Sequence, residues 1–117
     1  MKEQQESKVK MMMKIFDLMN LEAEEYSQRG KNVFFENELF KTRVINLKAG
    51  ESIPDCQMDC FVIFYVVKGE VLVSKNGQEA SLKEKQVFIT EPALLSMKSN
   101  TGARLMGIQI KTRETEG

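Results

Sequence analysis

Apolar residues in this chain fall in short runs, which turn residues separate roughly every 8–12 positions. The longest run, residues 61–67, predicts a strand that is covered on both faces, and residues 68–70 predict a turn after it. Asn76-Gly77 predicts a two-residue hairpin turn, because both residues tolerate positive φ. No long helical period separates the runs, which argues against parallel βαβ units. The pattern predicts an all-β sandwich or barrel with strands near residues 33–35, 39–47, 61–67, 71–73, 79–82, 86–90, 93–98 and 103–111.

The first thirty residues lack this strand pattern. Residues 1–10 are polar and are predicted to fray, and a short strand or helical segment follows them. Asn20 is placed as a helix N-cap ahead of acidic residues, and Gly30 is placed as the helix end, which together predict a short helical turn. We therefore predict a single β-barrel domain over residues 11–111 and a polar tail at 112–117.

The composition argues against several functions. The 117 residues fit one domain, and 42% hydrophobic residues suffice for one core. The 17 basic and 17 acidic residues balance, so no net field attracts nucleic acid or an anionic membrane. The absence of histidine removes the commonest metal ligand and the usual acid–base group near neutral pH. Because no apolar run is typical of a signal peptide or a membrane span, we expect a cytoplasmic protein.

The spacing of two turn glycines carries a resemblance to a known family. Gly50 and Gly69 match the two ends of the first metal-binding motif of the cupins, a family of small jelly-roll barrels. Cys56 and Met58 stand at the two histidine positions of that motif, and Val62 stands at its glutamate position. The residues that would carry the family's metal chemistry are therefore absent from this motif.

A second cupin motif is matched less closely, at a suitable distance after the first. Aligning its asparagine on Asn100 places Ser96 at its histidine position. The resemblance covers roughly residues 32–110 and implies a cupin-like jelly-roll β-barrel with a short N-terminal strand or helical segment. Because all four ligand positions have changed, the resemblance implies no metal centre here.

The candidate ligand-binding residues are those expected in the barrel interior. An arginine that faces into a barrel binds a carboxylate or phosphate through two parallel hydrogen bonds, although a solvent-facing arginine is the alternative. Methionines in a barrel line an adaptable apolar cavity. The predicted set is Cys56, Met58, Val62, Ser96, Arg43 and Met106. We predict no catalytic residue, no metal and no cofactor.

Cys56 and Cys60 allow a second interpretation. Thiolate and thioether ligands favour copper(I), and cysteines also bind zinc. Structural zinc sites usually need four nitrogen or sulfur ligands, however, and the chain has only two cysteines. Cysteine and methionine also serve as pliable core residues, and we favour that packing role.

These observations predict a metal-free domain that binds a small molecule or acts as a sensor or scaffold. The expected partner is a small apolar or weakly acidic molecule. The balanced charge and the apolar N-terminal segment also predict a homodimer. One alternative is a cupin-type enzyme, an isomerase or dioxygenase with an unusual metal or none, and a lesser one is a soft-metal or thiol-responsive sensor.

Overall fold

The computed structural model describes residues 13–112. Within this range one 3-10 helix, Tyr26–Asn32, precedes eight strands. The strands are β1 (Val33–Glu36), β2 (Phe40–Leu47), β3 (Ser52–Met58), β4 (Phe61–Lys75), β5 (Gln78–Lys83), β6 (Val87–Thr90), β7 (Ala93–Lys98) and β8 (Ala103–Ile110). Their pairings are antiparallel, which confirms the predicted all-β class. In the described range no helix is long and apolar enough to span a membrane. The predicted polar ends, residues 1–10 and all of 112–117 but Thr112, lie outside that range.

Two curved sheets share the long strand β4. Its first half pairs with β8 and β6, and β8 continues through β2 to β1 at the edge. Its second half pairs with β5 and β7, and β7 continues to β3. The halves meet at a register shift between Val66 and Lys68. The turn expected at residues 68–70 is thus a bend within one strand.

Gly69 makes this bend possible. Its φ is +87°, a left-handed value that favours glycine. A Cβ at this position would lie 2.8 Å from the Cα of Ala103 and closer still to the carbonyl oxygen of Gly102. The two halves of β4 therefore join where the backbone at the start of β8 passes too close for any side chain.

β3 is the strand that the hydrophobic pattern does not predict. It contains Pro54 and is mostly exposed, so it lacks the alternation of a half-buried strand. It lies at the end of the strand order and pairs with β7. An edge position tolerates proline because no second neighbour needs its backbone N–H.

Side chains that alternate inward from both sheets form the core. Leu47, Val66 and Leu105 are at most 2% exposed and belong to one buried cluster, which also includes Val73 and Met97. A second buried cluster consists of Cys60, Val62, Ala93 and Leu95, and Phe64 packs against both clusters. The region between these clusters contains the candidate site.

The segment before β1 is tied to the barrel by side chains rather than by a sheet. Arg104 Nε of β8 donates a hydrogen bond to the Leu18 carbonyl oxygen at 2.6 Å, and its Nη2 donates to the Leu21 carbonyl. Buried Asn32 accepts a hydrogen bond from the Glu24 N–H at 2.7 Å and donates one to the Glu24 carbonyl at 3.1 Å. These contacts fix the approach to the 3-10 helix.

The helical turn predicted from Asn20 lies farther along the chain. Asp17 begins a tight turn here, with its side chain accepting hydrogen bonds from Met19 and Asn20. The 3-10 helix starts at Tyr26 and continues beyond Gly30 to Asn32. Asn20 is therefore a turn residue and not a helix N-cap, because its own side chain is bound to Asp17.

Candidate functional site

A cavity of about 280 Å³ opens in the barrel between the two buried clusters. Its walls come from the 3-10 helix and from strands β2, β3, β4, β7 and β8. The side chains fall into an apolar group and a polar group. The apolar group contains Ile53, Cys56, Met58, Phe64, Leu95 and Met97, and the polar group contains Tyr26, Arg29, Lys41, Arg43 and Gln109.

Strand alternation explains the polar wall. Lys41 and Arg43 of β2 share a face with Ile45 and Leu47, which belong to the core. Gln109 of β8 is the direct partner of Lys41, so the two side chains lie on the same face of the sheet. These polar residues are therefore a continuation of the core-facing rows at one end of the barrel.

Gly107 provides the space beside Arg43. It pairs with Arg43 on one side and with Phe64 on the other, so it lies between two lining residues. A Cβ there would be 3.2 Å from Phe64 Cε1 and 3.4 Å from Ile45 Cδ1. Because glycine leaves this position without a side chain, the Phe64 ring lies over the backbone and the cavity extends to Arg43.

The 3-10 helix brings an aromatic ring and a cation to the cavity. The Arg29 guanidinium carbon lies 4.3 Å from the centre of the Tyr26 ring, and Nη1 donates to the Tyr26 carbonyl at 3.2 Å. Arg29 is exposed and Arg43 is half-buried, so positive charge extends from the rim inward. Burial, followed by the Arg29 charge, lowers the pKa of Arg43 from its ordinary value. A guanidinium nevertheless remains protonated in proteins.

Three of the four positions that match the cupin ligands lie at this cavity, and the fourth is buried beside it. Cys56 and Met58 line the cavity, and Val62 is 1% exposed within the neighbouring buried cluster. Ser96 borders the cavity between Leu95 and Met97, but the alternation of β7 places its side chain on the outer face. Of these four positions, two contribute a sulfur atom to the cavity wall, and their chemistry differs from that of the family's histidine and glutamate ligands.

These residues do not fit a divalent metal. No group of three or more carboxylate, thiol or imidazole side chains in residues 13–112 is arranged to hold a metal ion. The lining instead includes the cationic side chains of Arg29, Lys41 and Arg43, which would repel a metal cation.

The two cysteines have different surroundings. Both are free thiols, with Cys56 exposed and Cys60 buried. Burial, and then the Asp59 charge, raises the pKa of Cys60. Residues 59–60 separate β3 from β4, so the run from 56 to 62 is not one continuous strand with four side chains on a shared face.

The predicted site residues are thus divided. Arg43, Cys56 and Met58 line the cavity and Ser96 borders it, whereas Val62 packs in the core. Met106 does not line the cavity, because Leu105 and Gly107 face inward in β8 and Met106 alternates with them. Whether any of them binds a ligand stays a prediction.

The sequence interpretation missed several lining residues. The alternation that includes Arg43 also includes Lys41, so that residue could have been found. Phe64 could have been placed inside by its parity with Val62 and Val66. Tyr26 and Arg29 carry no comparable signal, because they lie in the helix outside the strand pattern.

Sequence comparison finds no match for this chain. No family model matches it, and no curated protein is detectably similar to it in sequence.

Comparison with solved structures identifies the fold. The protein TT1209 from Thermus thermophilus is similar with a TM-score of 0.73 at 22% identity, over 84% of this chain and 97% of that chain. A cupin superfamily protein from Desulfitobacterium hafniense gives 0.65 at 11% identity, over 68% and 74% of the two chains. Salicylate 1,2-dioxygenase from Pseudoaminobacter salicylatoxidans gives 0.58 at 19% identity, over 61% of this chain and 20% of that chain. The chain therefore has the cupin jelly-roll fold, as the spacing of its glycines predicts.

Proposed function

We propose that this protein is a metal-free binding module that holds a small molecule in the barrel cavity. The cavity itself carries the proposal. Its 280 Å³ is near the lower end of ligand-site volumes, about 300–1,000 Å³. An apolar wall with a few convergent polar groups is typical of such sites. The rigid β-scaffold around the cavity supports a preformed site.

The lining residues favour binding over metal-dependent catalysis. Val62 stands where the resemblance expects a carboxylate ligand, and its side chain has no donor atom. The fold is shared with an enzyme that is similar over 61% of this chain. Fold alone does not carry activity, however, and we do not assign that enzyme's reaction to this protein.

Methionine methyl NMR offers a direct test. Met58 and Met97 line the cavity, whereas Met106 lies outside it and serves as the internal control. Tag-free protein would be labelled at the methionine methyl groups and screened against small organic acids and neutral apolar molecules. We expect hits to shift the signals of Met58 and Met97 and to leave that of Met106 unchanged.

Two results would contradict this proposal. The first is a screen in which no compound shifts the Met58 or Met97 signals. The second is stoichiometric transition metal in elemental analysis of the same tag-free protein, which would favour the enzyme or soft-metal alternatives. Loss of that metal in Cys56→Ser would then identify the thiol as a ligand.

We also propose that the protein is a homodimer. Phe61, Val87, Ile89 and Ile110 are between 37% and 61% exposed and lie on paired strands β4, β6 and β8. Adjacent exposed apolar side chains are typical of an interaction surface. Light scattering should give twice the monomer mass for the native chain. Ile89→Lys should shift the mass to the monomer, whereas Leu94→Lys on the other sheet should not, and a native monomer at high concentration would contradict the proposal.

A further inference from the structure

The cavity has an uncompensated positive charge. Among the described residues, its lining includes three cationic side chains, Arg29, Lys41 and Arg43, and no acidic one. The whole chain is neutral, with 17 residues of each sign. The excess of positive charge is therefore local to the residues of this cavity wall and is not a property of the whole chain.

Arg43 is the central cation of this group. It is half-buried, and no hydrogen bond or ion pair engages its guanidinium in the described part of the chain. Its five N–H donors have a planar arrangement that matches the two oxygens of a carboxylate or the oxygens of a phosphate. A partly desolvated arginine without a partner costs stability, and an anionic ligand would compensate that cost.

The acidic group that acts on Arg43 is already engaged. Glu36 is the carboxylate whose charge acts on Arg43. Its Oε2 accepts a hydrogen bond from Lys111 Nζ at 2.7 Å, and the same pair forms a salt bridge. Glu36 is exposed and does not line the cavity. Within residues 13–112, therefore, no carboxylate of the lining neutralises the cavity.

The opposite wall is apolar. Phe64, Leu95 and Met97 face the cavity together with Ile53 and Met58. At roughly 30 Å³ for each water-sized group, the 280 Å³ cavity holds about nine such groups. A ligand of this size would place an apolar body against this wall and a charged end against the cations.

We propose that the cavity binds a small organic oxyanion, with a carboxylate or phosphate-type group against Arg43 and Lys41 and a compact apolar body against Phe64 and Leu95. Arg29 at the rim attracts the anion and covers it. This inference rests on the function proposed above and specifies the class of ligand. It requires that charge, and not apolar shape alone, determine binding.

Benzoate and benzamide form the matched probe pair. They have nearly the same shape and nine non-hydrogen atoms each, but only benzoate is charged. Phenylphosphonate tests the phosphate-type group, and inorganic phosphate tests whether the anion suffices without an apolar body. Titrations followed by the Met58 and Met97 methyl signals would give a Kd for each. We expect benzoate or phenylphosphonate to bind at least tenfold more tightly than benzamide, and inorganic phosphate to bind more weakly than phenylphosphonate.

Variants assign the charge to its residues. Arg43→Gln and Lys41→Gln should each weaken binding of the anion about 10- to 100-fold and weaken binding of neutral benzamide by a clearly smaller factor. Lys98→Gln is the matched control, because Lys98 is exposed on the outer face of β7 and does not line the cavity. Arg43→Met should also raise the melting temperature of the ligand-free protein, since it removes an unpaired half-buried charge.

The outcomes separate this inference from the function on which it rests. Equal affinities for benzoate and benzamide, or neutral hits at Met58 and Met97 without any anionic hit, would overturn the oxyanion ligand and keep the binding module. Unchanged anion affinity in both the Arg43 and Lys41 variants would also overturn it. If neither anions nor neutral molecules shift these signals, both proposals fail.

Discussion

Gly69→Ala should destabilise the protein much more than the same substitution at Gly77. Both glycines have a φ of +87°, so a Cβ imposes similar backbone strain of about 1–2 kcal/mol at each. Alanine also reduces the entropy of the unfolded chain at both positions, which offsets about 0.4–1 kcal/mol. The surroundings differ, however. Nothing lies within 4 Å of the Cβ position at Gly77, whereas the backbone of Gly102 and Ala103 lies against it at Gly69.

The difference between the two variants isolates this steric overlap. The atoms that a Cβ at residue 69 would meet are backbone atoms, which cannot turn away as a side chain does. Forcing an extra carbon into a well-packed region costs about 1–3 kcal/mol. We therefore expect a loss of about 1 kcal/mol for Gly77→Ala and about 2–4 kcal/mol for Gly69→Ala.

Urea unfolding measures both losses. The midpoint concentration should fall at a constant slope, since the amount of surface exposed on unfolding stays the same. Thermal unfolding should agree, at about 4 °C for each kcal/mol in a domain of this size. Equal losses at the two glycines, within about 0.5 kcal/mol, would refute the argument that a close backbone approach fixes residue 69 as glycine.

Three further predictions concern thiols, pH and the N-terminal segment. A thiol reagent should modify Cys56 in the native protein but Cys60 only on unfolding or at high pH, because burial raises the pKa of Cys60; equal rates of reaction would contradict this. Lys111→Met should raise the pKa of Glu36 toward 4.5, because the Lys111 hydrogen bond is the main cause of its lowering. The stability that this pair contributes is thus present above about pH 4.5 and is lost as the pH falls through the lowered folded pKa of Glu36. If an NMR titration of the Lys111→Met variant gave the same Glu36 pKa as the native protein, it would contradict the role of Lys111. Asn32→Ala removes two hydrogen bonds to Glu24 and should lower the free energy of unfolding by about 2 kcal/mol, about 1 for each bond. Hydrogen exchange should show that the Glu24 amide loses its protection in this variant. Full protection of that amide would disprove the role of Asn32.

The fold could largely be predicted from local signals. The apolar runs and the Asn76-Gly77 turn correspond to observed strands and a hairpin, because short β-strands have short-range determinants. β3 could not be predicted in this way, since an exposed edge strand with Pro54 needs no buried face. β4 continues through Gly69 because it pairs with β7 and β8, which are distant in sequence. A local sequence pattern does not contain this information.

The sequence could predict only those site residues whose side chains are placed by the alternation along a strand. Arg43 and Lys41 share a face by alternation, and the same rule places Met106 opposite to Gly107 and Gln109. The sequence alone did not fix which face of β8 is buried, because both of its faces carry apolar residues. Arg29 reaches the cavity through the docking of a helix, which depends on tertiary contacts.

The hydrogen bonds that hold the N-terminal segment couple two properties of the protein. One is the equilibrium between the docked and undocked segment, and the other is the affinity of the cavity for its ligand. Arg104 holds the segment at the carbonyls of Leu18 and Leu21, and Asn32 holds it at Glu24. The same segment leads into the helix that carries Arg29 to the rim. For a ligand that touches Arg29, the apparent affinity scales with the fraction of molecules in which the segment is docked. By thermodynamic reciprocity, the bound ligand increases that fraction by the same factor. A substitution at Arg104 would therefore change ligand affinity without touching the ligand.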